Sequence, residues 1–102
     1  MSDVVVSENR DARRFEAHLD GALAGFADYE LTDDLVVFTH TKVDPAFEGR
    51  GVGSALARFA LDQVRDDGTR KAFAVCPFIK GWIERHPAYL AFTYGAGPSQ
   101  AD

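Results

Sequence analysis

Apolar and polar side chains alternate strictly through Arg14-Phe-Glu-Ala-His-Leu19, with Phe15, Ala17 and Leu19 on one face and Arg14, Glu16 and His18 on the other. A period of two marks a half-buried strand. Asp20-Gly21 suits a tight hairpin turn, and an extended pattern resumes from Ala22 to Leu31, with Leu23, Gly25, Ala27, Tyr29 and Leu31 on one side. Asp33-Asp34 gives a second turn. Residues 35–43 are then rich in β-branched side chains and apolar on both faces at their start, as expected of a central strand. Residues 3–7 read as a further short strand, and residues 8–13 as a loop.

Pro45 closes the central strand because proline donates nothing to a ladder. From Gly51 onward the period changes: Val52, Ala55, Leu56, Phe59, Ala60 and Val64 recur at helical spacing, and Asp67-Gly68 supplies a stop. Lys71-Ala-Phe-Ala-Val-Cys76 is a short apolar strand. Strand, helix, strand in this order predicts a right-handed crossover that sets strands 35–43 and 72–76 parallel and adjacent. Pro77 suits the first turn of a second helix, whose stripe of Phe78, Ile79, Trp82 and Ile83 runs to His86-Pro87, with a last turn over residues 88–92. The expected fold is α/β, with a mixed sheet of α+β character, in one domain over residues 1–94. Residues 95–102 read as a flexible tail, having almost nothing to bury.

Between the central strand and the first helix stands Phe47-Glu-Gly-Arg-Gly-Val-Gly-Ser-Ala-Leu56, with glycines at 49, 51 and 53. A tight strand-to-helix junction makes an anion site, since the first amides of a helix lack internal partners and its dipole favours negative charge. The dinucleotide fingerprint would need glycine at Ser54 or Leu56, and the P-loop a Gly-Lys-Ser/Thr ending; neither is present. Val43-Asp-Pro-Ala-Phe-Glu-Gly-Arg-Gly-Val-Gly-Ser-Ala-Leu56 instead resembles the acetyl-CoA-binding motif of the GNAT N-acetyltransferase superfamily, roughly [QR]-x-x-G-x-[GA], with Glu48 at the position usually held by Gln or Arg. His40-Thr41, together with Cys76-Pro-Phe-Ile-Lys-Gly-Trp-Ile-Glu-Arg-His-Pro-Ala-Tyr89, is similar to a small branch of that superfamily with H-T-E-V before the loop and C-x-F-x-x-x-[WY]-[IL]-x-x-H-P-E-Y after it. Lys42 and Ala88 replace its two Glu residues.

The resemblance spans residues 3–92 and implies a minimal GNAT fold: antiparallel N-terminal strands, a strand–helix–strand CoA-binding unit and a short C-terminal helix. It implies acetyl-CoA or coenzyme A as cosubstrate, with the pantetheine arm at the backbone of Val43. The pyrophosphate would rest on the amides of Gly49, Arg50, Gly51, Val52, Gly53 and Ser54, with Arg50 and Lys80 as countercharge. The acceptor side would be open, or completed by a partner protein.

Composition narrows the setting. With 46% hydrophobic residues the chain can build a core, and no long uncharged apolar run suggests a membrane span. A net charge of −5 argues against nucleic acid as a partner. Asp3 before Val4-Val-Val6 gives no basic leader segment, so the expected location is cytoplasmic. The single cysteine, Cys76, leaves no internal disulfide and no multi-cysteine metal site, and no metal is expected.

Acetyl transfer to an amine needs a nucleophile, a polarised carbonyl and a proton for the departing thiolate. Cys76, at a helix N-terminus, is a candidate acyl carrier or else a buried inert thiol. His40 is a candidate base, placed by alternation on the face of Phe38 and Lys42, and also reads as a hydrogen-bonded structural histidine. Tyr89 is a candidate proton donor that also reads as packing. Two functions follow: an acetyl-CoA-dependent N-acetyltransferase acting on a primary amine of a small molecule or a protein lysine, and a non-catalytic module that binds CoA or docks on a partner.

Overall fold

The computed structural model describes residues 4–94. Its single sheet has five strands in chain order: β1 (Val4–Asn9), β2 (Arg14–Leu19), β3 (Ala22–Leu31), β4 (Leu35–Val43) and β5 (Lys71–Ala74). The first four run antiparallel, and β5 lies parallel to β4, as the strand–helix–strand order predicts. Between them runs α1 (Val52–Asp67), and α2 (Pro77–Arg85) follows β5. A 3-10 turn over Pro87–Phe92 leads to Thr93, which bridges back to Ala72 on the outer edge of β5. The tail expected at 95–102 lies outside the described residues.

Local chemistry accounts for the boundaries. Asp20 and Gly21 both have positive φ, 54° and 81°, which matches the right-handed twist of the β2–β3 hairpin. Gly68, at φ 74°, donates its N–H to the Val64 carbonyl and closes α1. The Asp44 side chain accepts from the Ala46 N–H at 2.9 Å and starts a short 3-10 turn at Pro45, just past β4.

Alternation fails at two bulges. Ala17 pairs with Gly25 but His18 with Leu23, so Ala24 is an extra residue on β3; it is buried, and Leu23 turns to the opposite face, 40% exposed. Asp28 pairs with His40 but Tyr29 with Phe38, so Thr39 is an extra residue on β4. His40 therefore faces away from Phe38 rather than sharing its side, because one unpaired residue reverses every later side chain. It keeps its expected side with Lys42. β1 also runs two residues beyond its expected end at 7, leaving only residues 10–13 for the reversal.

Buried side chains form one cluster between a single face of the sheet and the helices: Phe15, Ala17, Leu19, Tyr29 and Phe38 from the strands meet Val52, Leu56, Leu61, Ile79, Trp82 and Ile83. Each fully buried large aliphatic contributes about 1.5–3 kcal/mol by leaving water. On the other face Arg14, Glu16, His18, Phe26, Asp28, His40 and Lys42 stay half-buried or exposed. Arg14 lies over the Phe26 ring at 4.7 Å, and Phe26 stands 6.1 Å from the His40 ring. Among the described residues no helix is long and apolar enough to cross a membrane.

At the edge of the core the Tyr29 hydroxyl donates to Glu8 across β1 and β3, and burial, followed by that hydrogen bond, pushes its pKa up to about 12. A phenol whose folded pKa exceeds its unfolded value near 10 contributes its full stability below pH 10 and loses it as pH rises to the folded value. Thermal unfolding from pH 8 to 12 should therefore show a steeper alkaline loss in the wild type than in Tyr29→Phe. At pH 8 the variant should lack about 1.5–3 kcal/mol of a charge-assisted hydrogen bond. Parallel alkaline curves would mean that Tyr29 does not titrate in this window.

Candidate functional site

Pairing between β4 and β5 stops at Phe38 and Ala74, four residues into β4. The Phe38 carbonyl accepts both the Val75 and Cys76 amides at 3.0 Å, which turns the chain out of the sheet and into α2. β5 is thus two residues shorter than its apolar run suggests. Beyond Phe38 the edge of β4 over residues 39–43 has no strand beside it among the described residues, and the two segments diverge as a wedge.

A groove of about 560 Å³ opens from this wedge, walled by Thr41 and Val43 on β4, by Phe47 to Gly49 and Gly51 to Ser54 around the glycine loop, and by Phe78, Trp82, Arg85 and His86 at α2. Its size is that of a ligand cleft. The glycines have separate tasks. Gly49 and Gly51 sit at φ 81° and 78°, where a Cβ would meet no neighbour, so the backbone conformation alone demands glycine. Gly53 is helical, but a Cβ there would come within 2.6 Å of the Phe78 ring, so it makes room for α2.

Gly51 caps α1 with no side-chain hydrogen bond, and no acidic residue stands in the first turn. The amides of residues 52–54 therefore start the helix without internal partners and face the groove with the positive end of the dipole. Arg50 spends its own N–H on the Phe47 carbonyl at 3.3 Å. Its exposed side chain is not part of the groove wall, and neither is that of Lys80. Phe78, Trp82 and Arg85, spaced four and three apart, share one stripe of α2, from which Lys80 is turned away. Among the described residues Arg85 is the arginine or lysine that lines the groove, a place the sequence had suggested for Arg50 and Lys80. Glu48 lines it too, as the opposing charge.

Hydrogen bonds lock α2 against this end of α1. Trp82 Nε1 donates to Ser54 Oγ at 3.0 Å, and the His86 ring stacks on Trp82 at 3.8 Å. His86 Nδ1 lies 2.8 Å from the Trp82 carbonyl, which can only accept, so Nδ1 carries a proton. His86 also ends α2, its backbone N–H bonding the Ile83 carbonyl.

Cys76 caps α2 at its N-terminus and is 4% exposed; its thiol donates to Thr41 Oγ1 at 3.2 Å, across the wedge. Thr41 thus stands between the thiol and the groove, and the same alternation puts Thr41 beside Val43 on the wall. His40 opens on the opposite face of the sheet, away from Thr41. The Tyr89 hydroxyl donates to Asp62 at 2.8 Å in the middle of α1, and burial with this bond raises its pKa. It also accepts from Arg58 at 3.4 Å, and its ring packs edge-on against Trp82 on the side away from the groove wall. The structure brings Val43, Gly49, Gly51, Val52, Gly53 and Ser54 together, with Cys76 behind Thr41, and leaves Tyr89, Lys80 and the Arg50 side chain outside. Thr41, Arg85 and the Trp82–His86 stack were missed as groove walls; the Phe78/Trp82/Arg85 spacing was the available signal. Among the described residues no three His, Cys, Asp or Glu are placed to hold a metal ion.

Residues 14–92 match the family model described as GCN5-related N-acetyl-transferase. The chain is 32% identical over 88 residues to Protein NATD1 of Xenopus tropicalis, covering 84% of this chain and 80% of that protein. It is 32% identical over 84 residues to Protein NATD1 of Homo sapiens, covering 80% and 74%. Its fold is similar to the solution structure of a GCN5-like putative N-acetyltransferase from Staphylococcus aureus, with a TM-score of 0.70, 22% identity and coverage of 95% and 94%. It is also similar to the ribosomal-protein-S18-alanine N-acetyltransferase from Escherichia coli, with a TM-score of 0.64, 17% identity and coverage of 84% and 76%.

Left-handed backbone at the loop predicts a specific order of stabilities. Gly49→Ala and Gly51→Ala should each lose about 1–2 kcal/mol, whereas Gly51→Asn, a residue that tolerates this conformation, should lose clearly less. Denaturant titration reads the difference; equal losses for Ala and Asn at position 51 would point to a cause other than backbone strain.

Proposed function

Because the chain belongs to the GCN5-related N-acetyltransferase family, we propose that it moves an acetyl group from acetyl-CoA to a primary amine through an acyl-Cys76 intermediate. The single observation that carries this reading is the uncapped start of α1, set beside an unpaired strand edge and the Cys76–Thr41 bond. The pyrophosphate rests on the amides of residues 52–54 and on Arg85. The pantetheine arm follows the free edge of β4 past Val43, taking up the hydrogen bonds that β5 does not make, and brings the thioester to Thr41 and Cys76.

In the first half-reaction the Cys76 sulfur attacks the thioester carbonyl, the carbon–sulfur bond to CoA breaks, and the thiol proton passes to the departing CoA thiolate. In the second, a neutral amine attacks the acyl-cysteine carbonyl, the new carbon–nitrogen bond forms, the carbon–sulfur bond to Cys76 breaks, and the amine proton passes to the released cysteine thiolate. The burial of Cys76 excludes water, which would hydrolyse the intermediate. For an ammonium acceptor arriving from the open face of the sheet the proposed base is His40, which lies on that face and not on the side of Thr41 and the Cys76 thiol. A primary amine of a small molecule or of a protein lysine fits this uncovered face, as does a partner protein that completes it.

The second reading, a module that holds CoA without turnover, is favoured by one observation: the Cys76 thiol lies behind Thr41 instead of in the groove wall. Intact-mass measurement after incubation with acetyl-CoA separates the two. Transfer through Cys76 gives one acetyl adduct that disappears in Cys76→Ala and discharges to an added amine. No adduct, with CoA still bound and no thiol release across an amine panel, supports the binding module.

Charge along the groove gives a further prediction. Arg85→Ala should weaken CoA at least tenfold and flatten the salt dependence of binding, Lys80→Ala should change it less than twofold, and Glu48→Gln should tighten it severalfold by removing a like charge from the phosphate side. Calorimetric titration at two salt concentrations checks all three, and equal effects of Arg85→Ala and Lys80→Ala would displace Arg85 from this role.

A further inference from the structure

A second cavity, of about 390 Å³, lies at the other end of the sheet, under the β1–β2 turn and the last turn of α1. Its floor is apolar: Phe15, Leu31, Val36 and Val64, of which Phe15 and Val64 belong to the core. Its rim carries three arginines, Arg10 and Arg13 from the turn and Arg70 from the α1–β5 connection, against the carboxylates of Glu8 and Asp67. Both carboxylates are already engaged. Glu8 accepts from the Tyr29 hydroxyl and lies 3.5 Å from Arg10 Nε, while Asp67 accepts from the Thr69 hydroxyl and from the Thr69 N–H at 3.4 Å. Gly68 caps the Val64 carbonyl at 3.1 Å, which reduces the exposed negative end of α1.

Two of the cations are held ready. Arg70 Nε donates to the Thr32 carbonyl at 2.6 Å, which anchors the guanidinium and leaves its terminal nitrogens free to bond elsewhere. Arg13 has φ 55°, a left-handed conformation that a glycine would adopt at this position of the turn without strain. Its backbone is fixed by the Tyr29 N–H, which donates to the Arg13 carbonyl at 3.0 Å. Among the described residues neither Arg13 nor Arg70 makes an ion pair within 4 Å, in a chain whose net charge is −5. A bulky cation kept where backbone geometry favours glycine, beside an apolar hollow, points to a ligand for that cation.

We propose that this cavity binds a small organic anion, a phosphate or carboxylate carried on an apolar body of ring size, with Arg13 and Arg70 on the anionic group and the body on Phe15, Leu31, Val36 and Val64. From Val52 to Asp67 the axis of α1 places this site on the order of 20 Å from the glycine-loop groove, so it is separate from the acetyl-CoA site proposed above and does not rest on it. Guanidinium forks match the planar or tetrahedral oxygens of such an anion, and the cavity has room for a body of ring size beside it.

Backbone amide NMR of the full chain, titrated with phenyl phosphate and with benzoate while CoA is held in excess, tests the proposal. The expected result is saturable shifts at Arg13, Tyr29, Val64 and Arg70 with either probe, at least tenfold tighter than with inorganic phosphate. Arg13→Gly, which keeps the turn because glycine accepts its φ, should weaken the probe at least fivefold while its melting temperature does not fall. Arg70→Gln should weaken it in parallel. Shifts confined to residues 49–54, no saturable shift at all, or undiminished binding by a folded Arg13→Gly would overturn it.

Discussion

The carbonyl of Phe38 is the hinge of this molecule. It accepts two successive amides, Val75 and Cys76, and so ends the β4–β5 ladder while β4 still has five residues to run. Among the described residues the backbone groups along the remaining edge have no strand partner, an arrangement whose cost falls when a ligand or water satisfies them. The same turn delivers Cys76 to the start of α2 and swings α2 across the end of α1. Wedge, groove and buried thiol all follow from where one short strand stops.

Packing at the other side of the groove depends on that stop in turn. α2 approaches α1 closely because Gly53 offers no Cβ to the Phe78 ring, and Trp82 then reaches Ser54. With α2 seated, Arg85 and His86 come to line the groove opposite the free amides of α1. Preorganised dipoles and one cation meet there without mobile solvent having to reorganise, which is how a helix start holds an anion well. The groove is therefore a product of helix contact as much as of the loop itself.

Both ends of α1 carry local left-handed backbone for different reasons. At the glycine loop, residues 49 and 51 meet the demand with glycine, and no side chain needs to be there. At the β1–β2 turn the same demand is met by Arg13, at a cost in conformation, and its side chain borders a hollow lined by core residues. Left-handed positions filled by glycine at the loop and by an arginine at the turn distinguish a backbone constraint from a side-chain one.

The order, type and most boundaries of the elements were legible in the sequence, because periods of two and 3.6 and the stops at Pro45, Gly68 and Pro77 are local properties. So was the glycine loop between a parallel pair of strands, and with it the family. Local pattern failed where a residue's partner lies far away in the chain. Thr39 is an extra residue only relative to Asp28 and Tyr29 on β3, yet it sends His40 to the open face and Thr41 to the groove. The end of β5 is set by the Phe38 carbonyl, not by the apolar run through Cys76, and the choice of Arg85 over Lys80 by which stripe of α2 meets Ser54 and Gly53. The sequence by itself determined the elements and the glycine loop, since these depend on neighbours along the chain. Only the tertiary structure decided which side chains face the groove, because strand register and helix docking are fixed by contacts between segments that the sequence keeps apart.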